Sequence, residues 1–354
     1  MPAFDRRDFF KTAGLTGLAL APQAAAARPL TEKQKLDRIA SNTWPLRYLF
    51  KSRTGFGGGE QAAAMKKKYR EITMLDFPQY TKDTFPGVTH MDLFSGLFGD
   101  PTDDTQYVKV PMFVGTQTRT SVEFDPSSAS GRKWLDQMAA KMAATGTKCQ
   151  HISNNAPRDI CELDPERRKA GIDVAKKWLD GAKILGAKSM RVNSGGPRIR
   201  PNAVAQPGDY PKNDEIVKYL SNCIESFKEM ADHGSKVGVK VTLENHWGLT
   251  ADPMNIRIIV DEVKSPFCEA SPDFCNWEHE YMLYNGLKAL APYAHTNVHA
   301  KYWNRWKPDQ SVKRSVKIMT DAGYEGTFAL EYEEGLWDGV EGAKYLYKEV
   351  LAAL

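Results

Sequence analysis

Eight short runs rich in apolar and β-branched residues recur along the chain, each set apart from the next by a longer connection. They are RIASNTW (38–44), VTHMDLF (88–94), KCQHISN (148–154), SMRVNS (189–194), VKVTLEN (239–245), FCEASPD (267–273), TNVHAK (296–301) and GTFALEYE (326–333). Between them, GRKWLDQMAAKMAATGTK, RRKAGIDVAKKWLDGAKILGAK and NDEIVKYLSNCIESFKEMADHGSKVG carry apolar residues at helical spacing. The last opens on an N-cap candidate, Asn213, and stops near Gly234 and Gly238; another helix is expected between Asp309 and Gly323. Alternation of β and α predicts a parallel sheet joined by crossover helices. Eight units over roughly 310 residues suit a closed (β/α)8 barrel in one domain. An open doubly wound sheet is the alternative, but no G-x-G-x-x-G follows the first run. GFGGGE at 55–60 has the glycines without that spacing and reads as a flexible loop. Residues 51–70 and 100–130 read as long loops on the rim.

The apolar fraction, 42% of 354 residues, is enough for a large core. Basic and acidic residues nearly balance, 48 against 44, and KKKYR at 66–70 reads as a solvated helix face, so no nucleic-acid partner is expected. The N-terminus has another character. Arg6 and Arg7 precede Phe9, Phe10 and Lys11, then a weakly apolar stretch from Thr12 to Ala21, then Ala-x-Ala choices up to Ala27. This order resembles a twin-arginine-type signal peptide over residues 1–27. It implies engagement of the twin-arginine export machinery and a periplasmic or extracellular protein whose barrel occupies 28–354. The five cysteines, Cys149, Cys161, Cys223, Cys268 and Cys275, show no C-x-x-C spacing. Cys268 and Cys275 are the nearest pair for a bridge, but small buried core residues are the expectation.

In a barrel, chemistry belongs at the C-terminal ends of the strands. The fifth run ends in Glu244 and His246, the sixth in Asp273; the seventh carries His299 and Lys301, the eighth Glu331 and Glu333. Strand alternation places the two members of each pair on one face. Intervals of 29, 26 and 32 residues separate positions 244, 273, 299 and 331, each about one β-α unit. Singly, a strand histidine is usually hydrogen-bonded core, and a glutamate at a strand end is usually solvated. In phase on four consecutive units, three carboxylates and an imidazole form a ring whose like charges repel unless a divalent cation neutralises them.

With LENH, SPDFCN, VHAK and LEYEE in place, the sequence resembles the xylose isomerase-like TIM-barrel superfamily, often labelled sugar phosphate isomerase/epimerase, from about residue 38 to the end. The resemblance implies one divalent metal, Mn²⁺ ahead of Mg²⁺, Co²⁺ or Zn²⁺, held by Glu244, Asp273, His299 and Glu331. It further implies that Glu244 and Glu331 share acid–base work on opposite faces of a sugar whose enediolate the metal stabilises. Binding of substrate hydroxyls is expected from His246, Lys301, Arg191, His151 and Asn276, with Asn193 a further candidate, and sugar stacking from Trp247 and Trp303. Two positions depart from ketose epimerases of this superfamily. Asn276 stands where histidine is common, and Arg305 only loosely matches an arginine that follows the histidine ligand. The expected activity is that of a sugar or keto-sugar isomerase or epimerase. A lyase acting on 3-keto-glycosides or inososes and a non-catalytic sugar-binding barrel are the alternatives. A homo-oligomer would be in keeping with the superfamily; a phosphorylated substrate is not expected, because no clear phosphate cradle appears and the SGGP turn at 194–197 is only weak evidence for one.

Overall fold

All eight runs form strands of one parallel sheet. The computed structural model describes residues 29–114, 117–196 and 213–354; the expected export segment, 1–27, lies outside them. The chain divides into a short unit, Met1–Thr31, and the barrel unit, Glu32–Leu354. The strands are β1 (Ile39–Asn42), β2 (His90–Phe94), β3 (Tyr107–Val114), β4 (Gln117–Phe124), β5 (Lys148–Ser153), β6 (Ser189–Arg191), β7 (Lys240–Leu243), β8 (Cys268–Ala270), β9 (Asn297–Trp303) and β10 (Thr327–Glu334). Hydrogen bonding runs β8-β7-β6-β5-β2-β1-β10-β9. The ring closes between β8 and β9 through a parallel bridge at Asp273 and His299. There His299 N donates to Pro272 O and Phe274 N donates to His299 O, both at 3.1 Å. The seam of the barrel therefore passes through two of the expected metal ligands.

Alternation sorts each strand into two faces. In β2, Asp92 points one way while Met91 and Leu93 point the other, into the layer between sheet and helices; all three are fully buried. That layer is one continuous apolar cluster, joining Ile152, Val241, Val298 and Phe328 of the strands to Trp178, Phe227, Ile259 and Leu346 of the helices. Each such side chain taken from water stabilises the fold by about 1.5–3 kcal/mol. All five cysteines are free and buried. Among the described residues, no helix is long and apolar enough to cross a membrane.

Helix ends follow local chemistry. Asp164 caps helix Pro165–Ile184 by accepting from Glu166 N at 2.9 Å. Gly238, at φ 80°, ends helix Asn213–Val237, and Gly234 stays inside it. Helix Val312–Asp321 starts later than Asp309, because Ser311 Oγ is the cap, accepting from Arg314 N at 3.3 Å. The two expected loops are corrected more substantially. Residues 51–70 contain a 3₁₀ turn, Gly55–Gly57, and a helix, Gly59–Tyr69, that buries Ala62 and Met65 and leaves Lys67 and Lys68 in solvent. Within 100–130, β3 and β4 pair as an antiparallel hairpin, Tyr107 opposite Phe124.

Candidate metal centre and active site

The C-terminal ends of the strands converge as alternation requires. Glu244 follows β7 directly, and its neighbour Asn245 stitches this end to the next unit. Asn245 Oδ1 accepts from Asp273 N at 2.7 Å, and its Nδ2 donates to Asp273 O at 2.9 Å. Asp273 Oδ1 is occupied by two amides of the following turn, Cys275 N at 2.7 Å and Asn276 N at 3.0 Å. Its Oδ2 is thereby aimed at the barrel axis, buried and without a hydrogen bond.

His299 divides its two nitrogens in the same manner. Nε2 lies 2.9 Å from Asp92 Oδ2 and 3.2 Å from Ser153 Oγ. Asp92 also accepts from Ser153 Oγ at 2.8 Å and Asn297 Nδ2 at 3.0 Å. A proton on Nε2 satisfies this carboxylate and leaves Nδ1 as the lone-pair nitrogen. Nδ1 is buried without a hydrogen bond. It faces Glu244 Oε1 and Glu331 Oε2, each at 3.4 Å, and Asp273 Oδ2 at 3.8 Å. Asp92 was not singled out from the sequence, although a lone carboxylate between Met91 and Leu93 is the signal that could have marked it.

Two cations complete the centre. Arg191 pairs with Glu244 Oε2. Lys301 Nζ lies 2.9 Å from Glu331 Oε1, 3.3 Å from Asp273 Oδ2 and 3.4 Å from Glu333 Oε2. Asn276 bridges the two groups, donating to Glu244 Oε1 at 2.8 Å and accepting from Lys301 at 3.0 Å. Burial opposes ionisation of Glu244, but Arg191 and His299 outweigh it and hold the carboxyl well below its ordinary range. Burial likewise opposes charge on Lys301, and Asp273, Glu331 and Glu333 overcome it. For His299 the same opposition is overcome by Glu331, Glu244 and Asp92. Asp273 goes the other way: burial pushes it up to about 7, Lys301 works against the rise, and Glu331 and Glu244 add to it.

The donor set fits a divalent ion. Glu244, Asp273 and His299 each offer a ligand atom, all within 4.8 Å of one another. Glu331 Oε2 flanks Nδ1 from another strand. Four buried carboxylates, Asp92, Glu244, Asp273 and Glu331, face two buried fixed cations, Arg191 and Lys301. The excess is two negative charges when His299 is neutral, and oxygen ligands with one imidazole suit Mn²⁺, Mg²⁺ or Co²⁺. Asp92, His151 and His299 form another close trio. There the carboxylate is already saturated by hydrogen bonds, so the trio is a structural network.

Above the centre opens a cavity of about 520 Å³, with Glu331, Lys301, Asn276, Arg191 and Asn193 among its lining residues. Glu244, Asp273 and His299 lie behind them, almost wholly buried. His246 lines the cavity, and burial holds its imidazole neutral, with a pKa lowered to about 3. Trp247, Trp303 and Arg305 also line it. His151 is not brought to the cavity. It is fully buried, with Nδ1 2.8 Å from Ser189 Oγ. Of the SGGP turn, Gly195 and Gly196 adopt φ 77° and 91°, and Pro197 lies outside the described residues.

Comparison with known proteins places the fold. No curated protein matches the sequence. Among solved structures, 3-keto-D-glucoside 4-epimerase from E. coli, in apo form, superposes with TM-score 0.55 at 12% identity, covering 88% of this chain and 99% of that one. An L-ribulose 3-epimerase gives 0.57 at 13% identity, covering 89% and 94%. A xylose isomerase-like TIM barrel protein from Mycobacterium smegmatis in complex with magnesium gives 0.52 at 15%, covering 89% and 97%. At these identities the likeness is one of fold. The family model described as xylose isomerase-like TIM barrel matches residues 110–353, more than half of the sequence, and the chain belongs to that family.

Proposed function

We propose that the protein is a divalent-metal-dependent isomerase or epimerase of a sugar or keto-sugar. One observation carries the reading: Asp273 Oδ2 and His299 Nδ1, both buried and without hydrogen bonds, converge with Glu244 and Glu331 at the floor of a polar cavity. The fold neighbours named as sugar epimerases agree with it. A divalent ion bound there, Mn²⁺ in the first instance, supplies Lewis-acid polarisation of a substrate carbonyl and its neighbouring hydroxyl. Glu331, which opens onto the cavity, accepts the proton from the carbon next to that carbonyl. Glu244, across the centre, returns a proton to the other face; because Arg191 keeps it ionised beforehand, that proton is first taken up from solvent, and Glu331 releases its own to solvent to close the cycle. Lys301, Asn276, Arg191 and His246 orient hydroxyls. Export through the twin-arginine route, suggested by Arg6 and Arg7 ahead of an apolar run, belongs to the same proposal.

A second reading keeps the first proton transfer and then expels a β-substituent, making the protein a lyase on 3-keto-glycosides. The cavity, about 520 Å³, has room for the substituent that would leave. Products separate the two: a stereoisomer of unchanged mass, or an unsaturated fragment with a released aglycone. The test begins with metal content of the purified protein by mass spectrometry, then proton exchange of keto-sugars in D₂O. About one ion per chain is expected, and Glu331→Gln should slow exchange by roughly 10²–10⁴-fold. A folded protein that binds no metal, or unimpaired exchange in both Glu331→Gln and Glu244→Gln, overturns the proposal and leaves a sugar-binding barrel.

A further inference from the structure

The cavity is built in tiers, and the uppermost stands two alternation steps of β9 above His299. On β9, His299, Lys301 and Trp303 alternate onto one face. His299 sits in the ligand centre, Lys301 lines the cavity, and Trp303 stands one further step up the strand. Two strand residues advance about 6–7 Å. On β10, Glu331 lies level with Lys301 in the strand register. Glu333 lies above Glu331 and accepts from Trp44 Nε1 at 2.7 Å.

Trp44 anchors an aromatic wall at this upper level. Its ring meets Phe56 at 5.2 Å and Phe94 at 5.1 Å, both edge to face. The Arg47 guanidinium lies 4.4 Å from the Trp44 ring, so the wall is braced from below and behind. Across the mouth stands Trp247, which follows β7. Counting round the ring of eight strands, β7 is four places from β1 and thus diametrically opposite it. Trp303, on β9, stands midway between them, two places round the ring from β1 and two from β7, with Arg305 stacked on it at 4.5 Å. Trp44, Phe56, Trp247 and Trp303 all line the cavity, and all are only half-buried. The lower tier is polar and the upper is aromatic.

A free monosaccharide seated on Glu331 and Lys301 fills well under half of about 520 Å³ and leaves room for a further ring among the aromatic side chains. We infer that the substrate is a glycoside: its reacting ring occupies the polar tier, and a second ring, sugar or aryl, lies between Trp44 and Phe56 on one side and Trp247 on the other, with Trp303 between the two walls. The inference rests on the sugar-processing reading and names its substrate class. Both kinds of second ring present a flat apolar face to the walls, and such stacking is worth about tenfold in affinity per well-formed contact.

Binding can be tested without turnover. Tryptophan fluorescence of the metal-loaded protein is titrated with glucose, methyl glucoside, phenyl glucoside and cellobiose. The expected result is at least about tenfold tighter binding of phenyl glucoside, cellobiose or both than of glucose and methyl glucoside. Preference for one of the two tells an aryl from a sugar second ring. Phe56→Ala should erase most of the difference while changing glucose binding less than about twofold; Trp247→Ala, from the opposite wall, serves if the first variant does not fold. Equal affinity for all four ligands, or a difference that survives both substitutions, overturns the inference. Metal content and exchange in D₂O are read separately, so a monosaccharide epimerase would keep those signals while failing here.

Discussion

Replacing Asp92 by Asn tests how the imidazole of His299 is held. The carboxylate accepts from Nε2, Ser153 and Asn297, and this leaves Nδ1 facing the other three candidate ligands. An amide at 92 still accepts one hydrogen bond but loses the charge, and its NH₂ competes with the Asn297 donor. Partners that orient a metal-binding histidine typically account for 10–100-fold in affinity. Asp92→Asn should therefore weaken metal binding by about that factor in a chelator-competition titration, with near-normal circular dichroism. Unchanged affinity would make Asp92 a packing residue. The four ligand candidates were legible because they recur at the interval of one β-α unit. Asp92 was less so: it sits in HMDLF, whose apolar content marks a strand, and only the inward phase of that strand, opposite to Met91 and Leu93, gives the carboxylate a role. The bonds of Lys301 to Glu331, Asp273 and Glu333 were beyond reach, since they depend on the register of β9 against β10.

At the level of elements, the barrel strands were visible in sequence because each is short, apolar and bounded by a helical stretch. The hairpin was not. Tyr107–Val114 contains Pro111, which lacks the N–H an interior strand needs, and Gln117–Phe124 is rich in threonine and serine. A two-stranded hairpin has only edge strands, where proline is tolerated, so sequence rules written for central strands reject it. Its contribution to the site is indirect: Glu123 accepts from Asn155, a cavity-lining residue, at 2.8 Å. The loops after β6 and β7 meet more closely still. Leu249 N donates to Gly195 O at 3.0 Å, and Gly248 has φ 66°. A Cβ on Gly248 would lie 2.3 Å from that same carbonyl oxygen, so both conformation and contact demand glycine. Gly248→Ala should cost about 1–3 kcal/mol in urea unfolding. It should also weaken sugar binding, because Asn193 and His246 lie on these two loops and line the cavity. Unaltered stability would mean that the loops separate freely and do not shape the site.

Across the whole molecule, the governing fact is an excess of negative charge at the centre of a barrel whose apolar core lies outside it, between sheet and helices. Arg191 and Lys301 offset part of it, and the raised positions of Asp273 and His299 indicate that bound protons offset more when no cation is present. A ligand that binds only the folded state stabilises it by about 2.7 kcal/mol at a hundredfold excess over Kd. In a barrel of this size that corresponds to a rise in Tm of roughly 3–5 °C. Stripping the protein with a chelator should lower Tm by that amount, and Mn²⁺, more than Ca²⁺, should restore it, because the close-set ligands favour the smaller ion. Asp273→Asn removes one ligand and one negative charge together. Its metal-free Tm should equal or exceed that of the unsubstituted protein, since like-charge repulsion is relieved, while the response to Mn²⁺ disappears. A Tm that ignores both chelator and Mn²⁺ would mean that Lys301 and the protons held by His299 and Asp273 suffice to balance the carboxylates. The ring would then be a buried ion-pair network, and the acid–base role of Glu331 would have to operate without a Lewis acid beside it.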